Sequence, residues 1–410
     1  MMKTNPSLLL EECFRWFGPK DPVPLSYIRH AGAGAVFSSL HHIPYGELWP
    51  IGEIRAHRET IEAAGLRWTA VESVPVHEDI KTGTGDLKTL FANYTQTLRH
   101  LAEEGITTVV YNFMPVLDWV RTDMRHVLPD GTECLLYDPV KFAAFEIHAL
   151  QRPGAESDFT PEQTEAAARW WSDLSADARA AFINTVIDVF PGVKWGLTLD
   201  DIRAMLARYH GIGRVELTAN LSRFLDAIIP VAEECGVRMA IHPDDPPFSV
   251  LGLPRIVSTE QDTAAILALA DSPANGLCFC SGSFSARPDN DLPAMARRFA
   301  PRIHAVHLRA TKREPSGVFY EADHLDGDVD MPALLSILLG EQERRRAEGR
   351  TDWRLPLRPD HGHVMMQDLD HYVPLTPGYS PIGRMRGLAE LRGVMHGILA
   401  TSTDSPLPDR

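Results

Sequence analysis

The sequence predicts a (β/α)₈ barrel, and three observations carry that prediction. An amphipathic helix, a glycine stop and a short β-rich run recur along the chain. Eight such runs can be counted, and most end in polar residues. The helices and strands alternate, which implies a parallel sheet with right-handed crossovers, and eight units imply closure.

The units follow in order. CFRWFG and GAVFSSLHH supply the first two strands, separated by a short helical stretch near SYIRHA. IRAHRETIEAA then ends at Gly65 before RWTAVESVP, and LKTLFANYTQTLRHLAEE ends at Gly105 before ITTVVYNFMP. LSRFLDAIIPVAEEC stops at Gly236 ahead of VRMAIHPDD, and TAAILALADSPAN stops at Gly276 ahead of LCFCSGS. MARRFAPRI precedes HAVHLRA, and LLSILLGEQERRRAE with Gly349 precedes DWRLPLRPDHG. IGRMRGLAELRGVMHGILA is the closing helix. A glycine just past a helix is the favoured left-handed cap, so each stop carries a physical reason.

From about residue 117 to 220 this rhythm breaks. TPEQTEAAARWWSDL opens on Thr160, Pro161 and Gln163 as a capped helix start, and FINTVIDVF and DDIRAMLARYH follow. A helical insertion after the fourth strand is expected, either a lid at the barrel mouth or a merely structural excursion. One catalytic domain over 1–400 and a flexible tail over 401–410 complete the expected organisation.

Composition narrows the function classes. The chain has 410 residues, 44% hydrophobic and 23% charged, as expected of a globular protein with an ample core. A formal charge of −15 argues against nucleic acid or an anionic membrane as partner. No run approaches the roughly 20 apolar residues needed to cross a bilayer. Five cysteines without a CxxC pair suit a reducing compartment, so a cytoplasmic location is expected.

In such barrels chemistry sits at the C-terminal ends of the strands. Strands five to eight end in His242, Cys280, His307 and Asp360. Imidazole, thiolate and carboxylate together suit a divalent first-row transition metal such as Fe²⁺, Mn²⁺, Co²⁺ or Zn²⁺. Taken singly, a strand-end histidine is more often a hydrogen-bonded rim residue, and Cys280 alone reads as buried filler. Cys278, on the same face two residues earlier, is the competing sulfur. The coincidence of four ligand types on adjacent strands favours one site over four separate explanations.

Other polar groups gather at the same rim. His41 and His42 end the second strand, Glu72 and His77 flank the third, Asn112 ends the fourth, and His361 and His363 follow Asp360. Arg287, Arg309 and Arg358 stand beside the ligand motifs, where each would clamp a carboxylate or merely tie neighbouring loops together. Phosphate-loop, HExxH and GxSxG readings fail on spacing.

At these residues the chain resembles the mannonate dehydratase family, nearly end to end. The resemblance is carried by FRWFGPKDPVPL, LHHIPYGELW, YNFMPVLDWVRTD, IHPDDPPFSVLGLPRIVST, SARPDNDL, HLRATKRE, HLDGDVDM, RPDHGH and PGYSPIGRMRGLAELRG. It implies a xylose-isomerase-like TIM barrel, Fe²⁺ or Mn²⁺ as cofactor, and loss of water from D-mannonate to give 2-keto-3-deoxy-D-gluconate. It assigns the metal to His242, Cys280, His307 and Asp360. Its rim residues fall on His361, Arg309 and Tyr379, which with Asp360 form the expected catalytic set. By their rim position His41, His42, Asn112, Arg287 and Arg358 are expected to bind a small sugar acid. SGS after Cys280 stands where TGS is usual, and Phe17 where Tyr is common. The rival readings are a sugar isomerase or epimerase on the same barrel and a non-catalytic sugar-acid binder. A homodimer is the expected assembly, since barrels of this type often dimerise.

Overall fold

The computed structural model describes residues 8–187, 196–371 and 376–401. Its strands are β1 (Glu11–Arg15), β2 (Ala35–Ser38), β3 (Arg67–Glu72), β4 (Thr108–Tyr111), β5 (Asp123–Val127), β6 (Glu133–Tyr137), β7 (Arg238–Ile241), β8 (Asn275–Cys280), β9 (Ile303–His307), β10 (Ala310–Arg313), β11 (Phe319–Ala322) and β12 (Pro356–Arg358). Eight of them close a parallel barrel in the order β1-β12-β9-β8-β7-β4-β3-β2. All eight expected runs are in it.

Helices cover the barrel because their apolar residues recur at helical spacing. Helix Leu87–Glu103 buries Tyr94, Thr97, Leu98 and Leu101 and leaves its other faces outside. The Asp86 side chain accepts from the Thr89 backbone amide at its start, and Gly105 leaves it in a left-handed turn at φ 78°. Leu98 and Leu101 are fully buried, each worth about 1.5–3 kcal/mol in burial against solvent.

Gly276 behaves differently from the other expected stops. The preceding helix ends at Leu269, and Gly276 lies inside β8. A Cβ there would lie 2.2 Å from the His304 ring and 2.4 Å from the Arg302 carbonyl oxygen. The glycine lets two strands and a buried ring approach closely, and is no helix cap.

The barrel interior is a layer of small and apolar residues: Cys13, Ala35, Phe37, Ala70, Val110, Ala240, Cys278 and Ala305. Side chains alternate along a strand, so the residue two positions later faces inward again, one layer nearer the C-terminal mouth. From six of these strands that step lands on Arg15, Glu72, Asn112, His242, Cys280 and His307. Arg358 pairs in register with His307 and joins the same layer.

The stretch after the fourth barrel strand differs from its expected all-helical form. It opens with an antiparallel hairpin, β5 and β6, before helices Pro139–Ala144, Pro161–Asp173, Ala176–Ile187 and Leu199–Ala207. The Thr160–Gln163 capping box is present. Helix Arg214–Cys235 already belongs to the barrel wall, so the break ends earlier than residue 220.

The hairpin joins a second hairpin, β10 and β11, in a four-stranded sheet of order β10-β11-β6-β5. The second hairpin follows the seventh barrel strand. DMRHV lacks the alternation of a half-buried strand, and the two hairpins are far apart in sequence, so no local pattern announces this sheet. Stacking of Tyr137 on Phe319, with centroids 5.3 Å apart, ties its halves into a separate apolar cluster.

Among the described residues no helix is long and apolar enough to cross a membrane. The expected tail lies outside the described residues beyond Thr401, the last residue of the closing helix.

Candidate active site and metal-ligand cluster

His242, Cys280 and His307 converge at the barrel mouth, each offering a ligand atom within 4.8 Å of the others. The sulfur is Cys280. Cys278 lies in the interior layer below, 3.4 Å from His307 Nε2. His242 Nδ1 is 2.7 Å from the Pro243 carbonyl oxygen, to which its N–H donates, leaving Nε2 as the donor to a cation. Burial and the Asp360 charge push the Cys280 thiol up, but Arg309, His242 and His307 outweigh them and hold it below the usual thiol range. A stabilised thiolate between two imidazoles fits a divalent transition metal.

Asp360, expected as a fourth ligand, is adjacent to this cluster. Its Oδ2 is 3.6 Å from Cys280 Sγ, and its backbone adopts φ 61° just beyond β12. Aspartate tolerates that left-handed conformation better than most residues, and it turns the carboxylate inward. Arg358 donates to Asp360 Oδ1 at 2.5 Å, and Arg309 Nε makes a charge contact with Oδ2 at 2.7 Å without hydrogen-bond alignment.

The arginines depart from the expected carboxylate clamps. Arg358 grips Glu72 through two bonds of 2.9 and 2.8 Å besides binding Asp360. Arg309 is enclosed by Asp245, Glu321 and Asp360, with Ser283 at 3.2 Å. Both guanidiniums therefore brace the protein's own acids. Arg287 is outside the cavity lining and makes a two-pronged pair with Asp289 at 2.9 and 2.6 Å. That ion pair removes the reason to expect it on substrate.

The two histidines of the second strand part company. His41 lines the cavity with its Nε2 3.1 Å from Arg15, and burial, then the Arg15 charge, depress its pKa. His42 faces outward, mostly exposed, and pairs with Glu53 at 3.3 Å. Asn112 lines the cavity as expected. His77 caps helix Glu78–Thr82, and His363 bonds the Glu321 carbonyl oxygen at 2.8 Å, so both are structural.

His361 and Tyr379 meet inside the cavity with ring centroids 4.9 Å apart. Phe17 also meets Tyr379 edge-on, with centroids 4.9 Å apart. Burial raises the Tyr379 phenol to about 12 against the pull of Arg358.

Glu321 on β11 is the residue the sequence reading missed. Both its carboxylate oxygens accept from His361 Nδ1 at 2.8 Å. Burial opposes its charge, but His361 and Arg309 hold it ionised, well below the usual carboxylate range. Asp245 links Arg121 and Arg309 behind it. In IHPDD the second aspartate was visible as a residue, but nothing local distinguishes its partner choice. Around these groups the cavity encloses about 790 Å³, its open mouth included.

A closed (β/α)₈ barrel with a cysteine–histidine cluster that could hold a metal ion, and a histidine–tyrosine pair beside it at the C-terminal mouth, has the layout of a barrel enzyme. The chain belongs to the D-mannonate dehydratase family, whose model matches residues 10–404. It is 51% identical over 386 residues to a mannonate dehydratase of Chromohalobacter salexigens, covering 94% of this chain and 98% of that relative. A Saccharophagus degradans mannonate dehydratase is 46% identical over 389 residues, covering 95% and 98%. The crystal structure of mannonate dehydratase from Streptococcus suis serotype 2 superposes with a TM-score of 0.76 at 33% identity, covering 97% of this chain and 96% of that one.

Proposed function

We propose that this chain removes water from D-mannonate to give 2-keto-3-deoxy-D-gluconate. The observation that carries the reading is the His361–Tyr379 pair in a cavity also lined by His242, one member of the His242–Cys280–His307 cluster. The reaction takes the proton from C2 and expels the hydroxyl from C3. Carbon C2 is weakly acidic because its neighbouring carboxylate already bears charge. His242, Cys280, His307 and Asp360 would hold Fe²⁺ or Mn²⁺. When bound, such an ion supplies Lewis-acid stabilisation of charge developing beside the substrate carboxylate.

His361 and Tyr379 divide the proton transfers. Glu321 fixes the His361 Nδ1–H, so Nε2, 3.8 Å from Asp360, is the nitrogen left for the substrate. The Tyr379 phenol is protonated at neutral pH and suited to donate to the departing hydroxyl. Asn112 and His41 are positioned along the wall to bond sugar hydroxyls. The enol product tautomerises to the ketone unaided. The five free cysteines fit a cytoplasmic enzyme, and a homodimer belongs to the same reading.

The test is anaerobic chelation followed by assay for keto product from D-mannonate with Fe²⁺, Mn²⁺ or Mg²⁺ restored. Activity returning with Fe²⁺ or Mn²⁺ supports the reading. A folded, metal-loaded enzyme that releases no product from D-mannonate, but interconverts an aldose and a ketose, would establish the isomerase alternative.

A further inference from the structure

Three arginines line the cavity: Arg15, Arg309 and Arg358. The last two are saturated by the protein's own carboxylates. Arg15 makes no ion pair among the described residues, although only 4% of its surface is exposed. Its Nη1 is buried with no hydrogen-bond partner at all. A buried guanidinium in that state is costly unless an anion completes it.

We propose that Arg15 is the residue that binds the substrate carboxylate, an inference that rests on the sugar-acid reading above. The side chain is built into place from below. Arg15 ends β1 two residues after Cys13, so it faces inward in the same layer as Glu72, His242, Cys280 and His307. Its guanidinium carbon lies 4.8 Å over the Phe17 ring. Nη2 donates to His41 Nε2 at 3.1 Å. For that bond His41 must be neutral with Nε2 unprotonated, and burial beside Arg15 favours that form.

The competing anion is Glu72, whose charge has the largest through-space effect on Arg15. Both Glu72 oxygens are already held by Arg358. A planar carboxylate presented from the cavity would meet the fork of Arg15 without displacing any existing pair. A neutral sugar end would leave the charge unmatched. Arg15 therefore selects an acid over the corresponding aldose or polyol.

The experiment compares wild type with R15M, which keeps the length and packing, and with R15K, which keeps the charge but loses the fork. Metal-reconstituted enzyme is assayed for kcat and KM on D-mannonate. Metal-free enzyme is titrated calorimetrically with D-mannonate and with D-mannitol, its carboxylate-free counterpart. In R15M the D-mannonate affinity and kcat/KM are expected to fall roughly 10- to 100-fold with D-mannitol binding unchanged, and R15K recovers part of the loss. Thermal midpoint and metal content should match wild type. Should R15M not fold, R15K alone must still weaken D-mannonate several-fold. R15M binding D-mannonate like wild type, or losing both ligands equally, would overturn the assignment. A wild type that binds D-mannonate but forms no keto product would sink the dehydratase reading and leave the Arg15 result standing.

Discussion

Both carboxylate oxygens of Glu321 lie 2.8 Å from Nδ1 of His361, although 40 residues separate the two in sequence. One sits on the accessory sheet and the other beside the last barrel strand. Arg121 and Arg309 hold the same carboxylate from behind. The accessory sheet thereby sets the orientation of a ring in the candidate active site, which is a different task from covering the mouth.

Replacing Glu321 with Gln keeps the shape and one acceptor while removing the charge. We expect kcat on D-mannonate to fall about 10²-fold with KM within about twofold, because the imidazole loses its fixed tautomer while the cavity wall stays intact. Metal content should be unchanged. Wild-type kcat in E321Q would show that Glu321 only braces the arginines.

Tyr379→Phe removes one oxygen and preserves the ring packed against Phe17 and His361. The expected loss in kcat is about 10²–10⁴-fold, the range for a positioned acid or base. Differential scanning calorimetry should place the unfolding midpoint close to wild type. If Y379F turns over D-mannonate at the normal rate, the phenol is no proton donor.

Gly276→Ala forces a methyl group against His304 and the Arg302 carbonyl oxygen within a barrel strand. Overpacking of a rigid core costs about 1–3 kcal/mol, so urea unfolding should shift by that amount. The same change at Gly105, where nothing lies within 4 Å of the added Cβ but φ is 78°, tests backbone strain separately. Equal stability of G276A and wild type would mean the two strands can separate freely.

His57 supplies a pH-dependent contribution to stability away from the metal cluster. It stacks on Trp16, meets Trp68 edge-on and bonds the Ser38 hydroxyl at 2.8 Å. Burial, then the nearby His42 and Arg15, lower its pKa to about 4. The unfolded chain binds a proton near the ordinary value of about 6.5. Between those two values the unfolded state holds more protons, so stability falls as the pH drops through that window. The difference of about 2.5 units corresponds to roughly 3 kcal/mol. Unfolding curves at pH 7 and pH 4 should show a smaller acid loss in H57N than in wild type, and parallel losses would remove His57 as a contributor.

The barrel was legible because its signals are local. Apolar spacing in LKTLFANYTQTLRHLAEE and the glycine after it declare a helix and its end within one stretch of chain. The convergence of three candidate ligands was legible for a related reason. His242, Cys280 and His307 end their strands, and strand ends converge in any closed barrel. Gly276 shows where local reading stops, since the same residue type that caps helices also allows two strands to approach. The hairpin β5–β6 carried too little alternation to be distinguished from the helices around it.

The chain by itself determined the eight-stranded closure, the inward parity of each strand and the donor atoms at the mouth. These follow from periodicities of two and 3.6 residues that the backbone imposes on any side chain. Only the tertiary structure decided which acid each arginine would meet. Arg309, Arg358 and Arg15 look alike as residues. Arg358 has a local partner in Asp360 and Arg309 one in Glu321 on the following hairpin, but Glu72 and Asp245 reach them from distant segments. Charge pairing in a buried site depends on distances of a few ångström between such segments, which no sequence window contains.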